Sequence, residues 1–312
     1  MPGQGRFEGL FSVTVTPFTE DGSLDPAGFA RILEWHISQG SAGLAIAADN
    51  GEASLLSLSE RKAMADIAVR VAAGRVPVIM GAMGTHAFTV SDTVAMVEVA
   101  AEAGVDATLI SPTPYVGTAT RAEVVGRYRQ IHRAVPLPII AYNNPRHFGV
   151  AVEGDTLAQL IDEVDLVGIK ESSRHFLDIS NGIARFSDRI SIFMGCGYLL
   201  MPGLALGAKG VLSTGVDLFG SQSARIVELA RGPWTAEARA LHVKIGRAYT
   251  SLLETGTPPA ALKALLGMLG LPAGIPRLPA HPLVGDDLIA LRRLFTELGV
   301  LHGSVADRLV HA

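Results

Sequence analysis

A chain of 312 residues with 48% hydrophobic and 18% charged residues is long enough to bury a large core and too apolar to remain disordered. Its net charge of −4 and pI near 6.1 offer no basic field for a polyphosphate backbone, which argues against nucleic acid as a partner. A single cysteine, Cys196, leaves no internal disulfide or cysteine zinc cage, and despite a mean hydropathy of +0.33 no run of about 18 apolar residues marks a membrane span.

The N-terminal stretch has no apolar core followed by a small-residue cleavage site, so the expectation is a soluble cytoplasmic protein. In chain order, short apolar runs fall at 10–15, 43–48, 76–81, 107–112, 137–143, 166–171, 190–195 and 210–215. They are rich in Ile, Val and Leu and do not alternate, as parallel strands buried on both faces require. Helical punctuation falls between them. Asp25-Pro26 reads as an N-cap with proline at the first helical position. Ser57 with Glu60 and Thr120 with Glu123 read as capping boxes, and Gly40, Gly74 and Gly104 stand where helices should stop. Eight such units predict an α/β fold, a (β/α)₈ TIM barrel over residues 1–220, with a doubly wound open sheet as the alternative. After Gly220 the strand signal ceases, and residues 221–312 predict a C-terminal helical extension.

Lys170 is one of only five lysines and ends the apolar run "LVGIKE". Barrel enzymes work at the C-terminal ends of their strands, and there Lys170 shares a face with Leu166 and Gly168. An exposed amine is neutral in only about one copy in a thousand at pH 7.5. Burial in an apolar barrel mouth lowers its pKa and frees it to attack a ketone, forming an imine that serves as electron sink. Tyr142 ends the preceding strand on the face of Ile140, so it should meet Lys170 across the mouth and carry protons. The loop after strand two, with Asp49, Asn50 and Gly51, offers backbone N–H groups for a carboxylate. Bland readings exist for each: a solvated strand end for Lys170, a barrel plug for Tyr142, a plain turn for the loop. Lys62, Lys209, Lys244 and Lys263 lie in a helix start, a glycine turn and the extension. "GAMGT" (81–85) lacks the ending of a phosphate loop and reads as a turn. The nine histidines show no metal-ligand spacing, and imine chemistry needs no metal or other cofactor.

With "VTPF" (15–18), "DGSLD" (21–25), "NGE" (50–52), "SPTPY" (111–115), "YNNP" (142–145), "GIKES" (168–172) and "GVLS" (210–213), the chain resembles the dihydrodipicolinate synthase / N-acetylneuraminate lyase family over essentially its whole length. The resemblance implies a barrel with a C-terminal helical extension, assembled as a homotetramer. It implies Lys170 as the Schiff-base residue and Tyr142 as proton donor or acceptor, with Asn50 and the main chain at Leu212 holding pyruvate. The departures are specific. The family's Gly-Thr/Ser-Thr-Gly-Glu loop reads Ala48-Asp49-Asn50-Gly51-Glu52 here, and the synthase's second relay tyrosine falls at Val116. The synthase's arginine two residues after the proline is replaced by His147, with Arg146 one residue early. The strand-seven exit "GCGY" (195–198) carries no acidic residue.

These features predict a class I Schiff-base lyase, either an aldolase joining or cleaving pyruvate or another 2-oxo acid and an aldehyde, or a dehydratase of a related sugar acid. Asp49, His147 and Cys196 are expected to line the distal pocket. The alternatives are a non-catalytic barrel that binds a 2-oxo acid or amino acid, and the synthase of lysine biosynthesis.

Overall fold

The computed structural model describes residues 6–84, 87–112 and 119–302. The alternation of units begins with β1 (Gly9–Val13), α1 (Pro26–Ser38), β2 (Gly43–Ile46), α2 (Leu58–Ala72), β3 (Val78–Ala82), α3 (Val90–Ala103) and β4 (Ala107–Ile110). It continues through α4 (Arg121–Ala134), β5 (Ile139–Asn143), a short α5 (Pro145–Phe148), α6 (Gly154–Glu163), β6 (Leu166–Glu171) and α7 (Phe176–Phe186). The last units are β7 (Ser191–Met194), α8 (Leu200–Ala205), β8 (Gly210–Val211), α9 (Ser221–Ala224) and α10 (Ile226–Arg231). Then follow α11 (Ala236–Glu254), α12 (Ala260–Met268) and α13 (Gly285–Glu297). All strand pairs are parallel and β8 closes on β1, so the described residues form a (β/α)₈ TIM barrel with C-terminal helices. The open-sheet alternative is set aside. No helix among the described residues is long and apolar enough to cross a membrane.

The local signals behave as their chemistry requires. Asp25 accepts from the Gly28 N–H ahead of Pro26, and both expected capping boxes form. Thr89 with Asp92 makes a third box, with aspartate in the place usually held by glutamate. Helix α2 ends on Ala73, itself left-handed at φ 47, rather than on Gly74. Several strands are shorter than the apolar runs that predicted them. Strand β3 starts after Pro77, and β2 stops where Ala47 turns left-handed at φ 48.

The barrel interior is filled by large residues laid over absent ones. Phe11 pairs in register with Gly43, and Phe193 with Gly210. The two rings meet edge to face, 5.1 Å apart at 79°. A Cβ on Gly43 would lie 2.0 Å from the Phe11 ring, and one on Gly210 would lie 2.4 Å from Phe193. Gly43→Ala is therefore expected to cost about 1–3 kcal/mol by overpacking. The urea midpoint reads this, and an unchanged midpoint would contradict the packing account.

Helices α9 and α10 pack against β1 and α8, completing the helical ring. Beyond them, Leu252, Leu262, Leu265, Leu291 and Phe295 form a core with Ile32 of α1. The extension is thereby fastened to the barrel side that carries the β2 loop.

Candidate active site

Side chains two residues further along each strand point the same way. Stepping from the interior layer of Phe11, Ile140, Gly168, Phe193 and Gly210 leads to Val13, Tyr142, Lys170, Gly195 and Leu212. All five line one cavity of about 250 Å³ at the C-terminal mouth of the barrel. The space left by Gly168 is taken by Ser191 and the Phe193 ring. Lys170 therefore stands on an aromatic floor.

Strands β5 and β6 pair Tyr142 with Lys170 after a one-residue bulge at Ile139/Ile140. The Lys170 Nζ lies 4.1 Å from the centre of the Tyr142 ring, and the residue is 5% exposed. Burial pushes the Lys170 ammonium below its ordinary pKa, while Asp49 and Cys196 partly restore it. Lys263 is also buried but has a partner, Glu52, at 2.5 Å. No such ion pair holds Lys170 among the described residues. Tyr142 donates its hydroxyl hydrogen to Asp49 Oδ2 at 2.6 Å and accepts from Asn144 Nδ2 at 3.2 Å. Burial first, then the Asp49 charge, drives the Tyr142 pKa well above that of free tyrosine. The phenol is thus held protonated, with its hydrogen bond directed at the Asp49 carboxylate.

Asn50 is buried beside this pair. Its amide donates to the Val13 carbonyl at 3.4 Å and accepts from Thr214 Oγ1 at 3.1 Å. Gly51 is placed differently from the anion nest expected of the loop. Its N–H bonds the Ala48 carbonyl and its carbonyl accepts from Thr16, and it does not line the cavity. The tight turn of residues 49–51 consumes the N–H group that the sequence reading left free. Leu212 lines the cavity, but its N–H bonds Met194, so a main-chain contact falls to its carbonyl.

Farther out, His147 lines the cavity with its Nδ1 accepting from Asn144 Nδ2 at 3.1 Å. Cys196 is not part of the wall. It is buried behind Ser172, to whose carbonyl its Sγ donates at 3.7 Å, and burial raises its pKa. The glycines around it matter more, because a Cβ on Gly197 would lie 2.4 Å from Tyr249. The "GCGY" turn lets α11 press Tyr249 into the mouth. Sequence reasoning missed Asn144, Ser172, Arg174, Thr214 and Tyr249, all cavity-lining. Alternation beyond Lys170 finds Ser172 and Arg174; Tyr249 carries no local signal because it arrives from the extension. Val116 lies outside the described residues.

The loop carrying Asp49 and Asn50 is gripped from behind. Glu52, left-handed at φ 55, pairs with Lys263 and accepts the Arg277 N–H at 2.8 Å. Arg277 also pairs with Glu60 and bonds the Gly22 and Leu55 carbonyls, its guanidinium 3.9 Å from the Phe18 ring. Among the described residues no three His, Cys, Asp or Glu side chains converge as metal ligands.

A family model for the dihydrodipicolinate synthetase family matches residues 6–298. A 4-hydroxy-tetrahydrodipicolinate synthase of Desulfotalea psychrophila is 30% identical over 297 residues, covering 95% of this chain and 98% of its own. An uncharacterized DapA-like lyase of Rhizobium meliloti is 32% identical over 293 residues, covering 92% of this chain and 96% of its own. Among solved structures, the chloride-inhibited dihydrodipicolinate synthase of Acinetobacter baumannii, crystallised with pyruvate, superimposes with a TM-score of 0.85 at 27% identity, covering 94% of this chain and 99% of its own. With this match along nearly its full length and a lysine at the mouth of its barrel, the chain belongs to the dihydrodipicolinate synthetase family and is an enzyme, a lyase of the class I aldolase type.

Proposed function

We propose that the protein is a Schiff-base lyase that joins pyruvate, or another 2-oxo acid, to an aldehyde or sugar-acid partner, or carries out the reverse cleavage. The observation that carries this reading is the buried Lys170, held in no ion pair among the described residues, against Tyr142, whose hydroxyl is bonded to Asp49. The neutral Lys170 amine adds to the C2 carbonyl, and Tyr142 gives its proton to the departing hydroxyl as the carbinolamine loses water. The protonated imine draws electrons from C3. Loss of a C3 proton gives the enamine, which attacks the aldehyde carbon; in reverse, the C3–C4 bond breaks. The Tyr142 phenolate left by the loss of water takes up the C3 proton, and Asp49, bonded to its hydroxyl, carries protons to and from it in place of a relay hydroxyl. Asn50 and the Leu212 carbonyl border the 2-oxo acid, with His147 toward the second substrate. Gly51 supports the turn and Cys196 the wall behind Ser172.

Within this reading, residues 1–220 carry the chemistry. Residues 221–312 close the mouth with Tyr249, Leu253 and Pro258 and grip the β2 loop through Lys263 and Arg277. The reading places the enzyme in the cytoplasm as a homotetramer. Light scattering should then give a mass about four times that of the chain; a monomer mass would contradict it.

Asp49→Asn tests the carboxylate relay. The Asp49 charge favours the Lys170 ammonium, so removing it lowers the Lys170 pKa further. The acid limb of the kcat/KM profile should therefore move to lower pH, while kcat falls about 10²-fold for want of a proton acceptor. An unchanged kcat would contradict the relay, and an acid limb that moves to higher pH would contradict the charge coupling to Lys170.

The relatives' names favour a second reading, 4-hydroxy-tetrahydrodipicolinate synthase. His147 in place of the synthase arginine and Asp49 in place of the relay hydroxyl stand against it. Growth of a synthase-deficient strain on this gene, without added diaminopimelate or lysine, would establish it; failure with the protein expressed and folded would close it.

A further inference from the structure

The outer part of the cavity carries two guanidinium groups, Arg146 and Arg174, and neither forms an ion pair among the described residues. Arg174 follows β6 in a left-handed conformation, φ 68, which a side-chain-bearing residue adopts only where the surroundings hold it. Its guanidinium carbon lies 5.8 Å from the centre of the Tyr198 ring, and it interacts with the Tyr249 hydroxyl. Tyr198 also feels the charge of Arg146. Cations from the loops after β5 and β6 thus bracket a ring from the loop after β7.

Among the described residues, the groups that act on Arg174 are Tyr198, Tyr249 and Cys196, and none is a carboxylate. Burial keeps Tyr198, Tyr249 and Cys196 in their neutral forms. Asp49, which also lines the cavity, is bonded to Tyr142. A guanidinium at the rim of a cavity, with no carboxylate paired to it among the described residues, attracts an oxyanion, and its planar fork suits a carboxylate.

We propose that Arg174, with Arg146 beside it, binds a carboxylate at the far end of the second substrate, so that the partner joined to the 2-oxo acid is itself an acid. This rests on the Schiff-base reading and moves recognition of the second substrate to the β6–α7 loop. Neither His147 nor Cys196 is then its principal determinant.

Titration calorimetry with 2-oxoheptanedioate and 2-oxoheptanoate, equal chains with and without the distal carboxylate, tests it. The wild-type protein should bind the diacid at least about tenfold more tightly. Arg174→Gln should bring the two affinities to within about twofold, and Arg174→Lys should retain part of the preference. Because Arg174 is exposed on a loop, these variants should keep the wild-type circular dichroism and melting midpoint. Equal affinities in the wild-type protein, or a preference that survives Arg174→Gln, would overturn the proposal. Pyruvate trapping on the wild-type protein separately reads the Schiff-base chemistry. Its failure would strike that reading, while the affinity ratio would still decide the role of Arg174.

Discussion

Lys170→Met should abolish turnover of every 2-oxo acid, by a factor of about 10⁴–10⁶, and should also raise the melting temperature. Both effects share one cause. The amine that forms the imine is kept reactive by burial, and burial of an ammonium is unfavourable to the fold. The sign follows from proton linkage. With the folded-state pKa below the ordinary 10.5, the unfolded chain holds more protons between the two values, so stability rises with pH across that window. The cost of burying Lys170 is complete below the folded pKa and vanishes above 10.5. Methionine, of similar length and uncharged, removes it. The gain in melting temperature should therefore be larger at pH 7 than near pH 10, which differential scanning fluorimetry at the two values reads. A loss of stability at pH 7 would contradict the burial account.

The second large effect is expected far from the chemistry. Glu52→Ala leaves Lys263, 2% exposed, without its counter-charge. Breaking a buried pair from one side costs roughly 3–5 kcal/mol, much more than a surface pair contributes. The Arg277 N–H loses its acceptor as well. The same loop presents Asp49 and Asn50, so kcat should fall along with stability. Chemical denaturation of Glu52→Ala, Lys263→Met and the double variant separates the terms. The double variant should recover much of the loss, because no uncompensated charge remains. A loss below about 1 kcal/mol for Glu52→Ala would show that the pair does not hold the loop.

How far the site was legible depends on what positions each residue. Lys170 and Tyr142 sit on adjacent strands, where a period of two and parallel pairing decide which side chains meet. Their juxtaposition follows from "YNNP" and "GIKES" alone. The barrel was readable for the same reason: eight apolar runs with helix caps between them leave few topologies. Loops obey no such period. Gly51 was expected to offer its N–H and instead spends it on Ala48, because residues 49–51 close a tight turn. Cys196 was expected at the cavity, yet the turn after β7 directs it behind Ser172. Tyr249 comes from a helix that the sequence marks only as amphipathic, and its seat is a missing side chain at Gly197. Lys263 read as an unremarkable lysine of the extension. Only the folded chain places it beside Glu52, 211 positions earlier in the sequence.

The central claim is that Lys170 forms an imine with a 2-oxo acid. Incubation with pyruvate followed by borohydride reduction, with peptide mass spectrometry and Lys170→Ala as control, tests it most directly. The account predicts a reduced pyruvyl group on Lys170, absent from the variant. An adduct on another lysine, or none with pyruvate or any of a panel of 2-oxo acids, would contradict it.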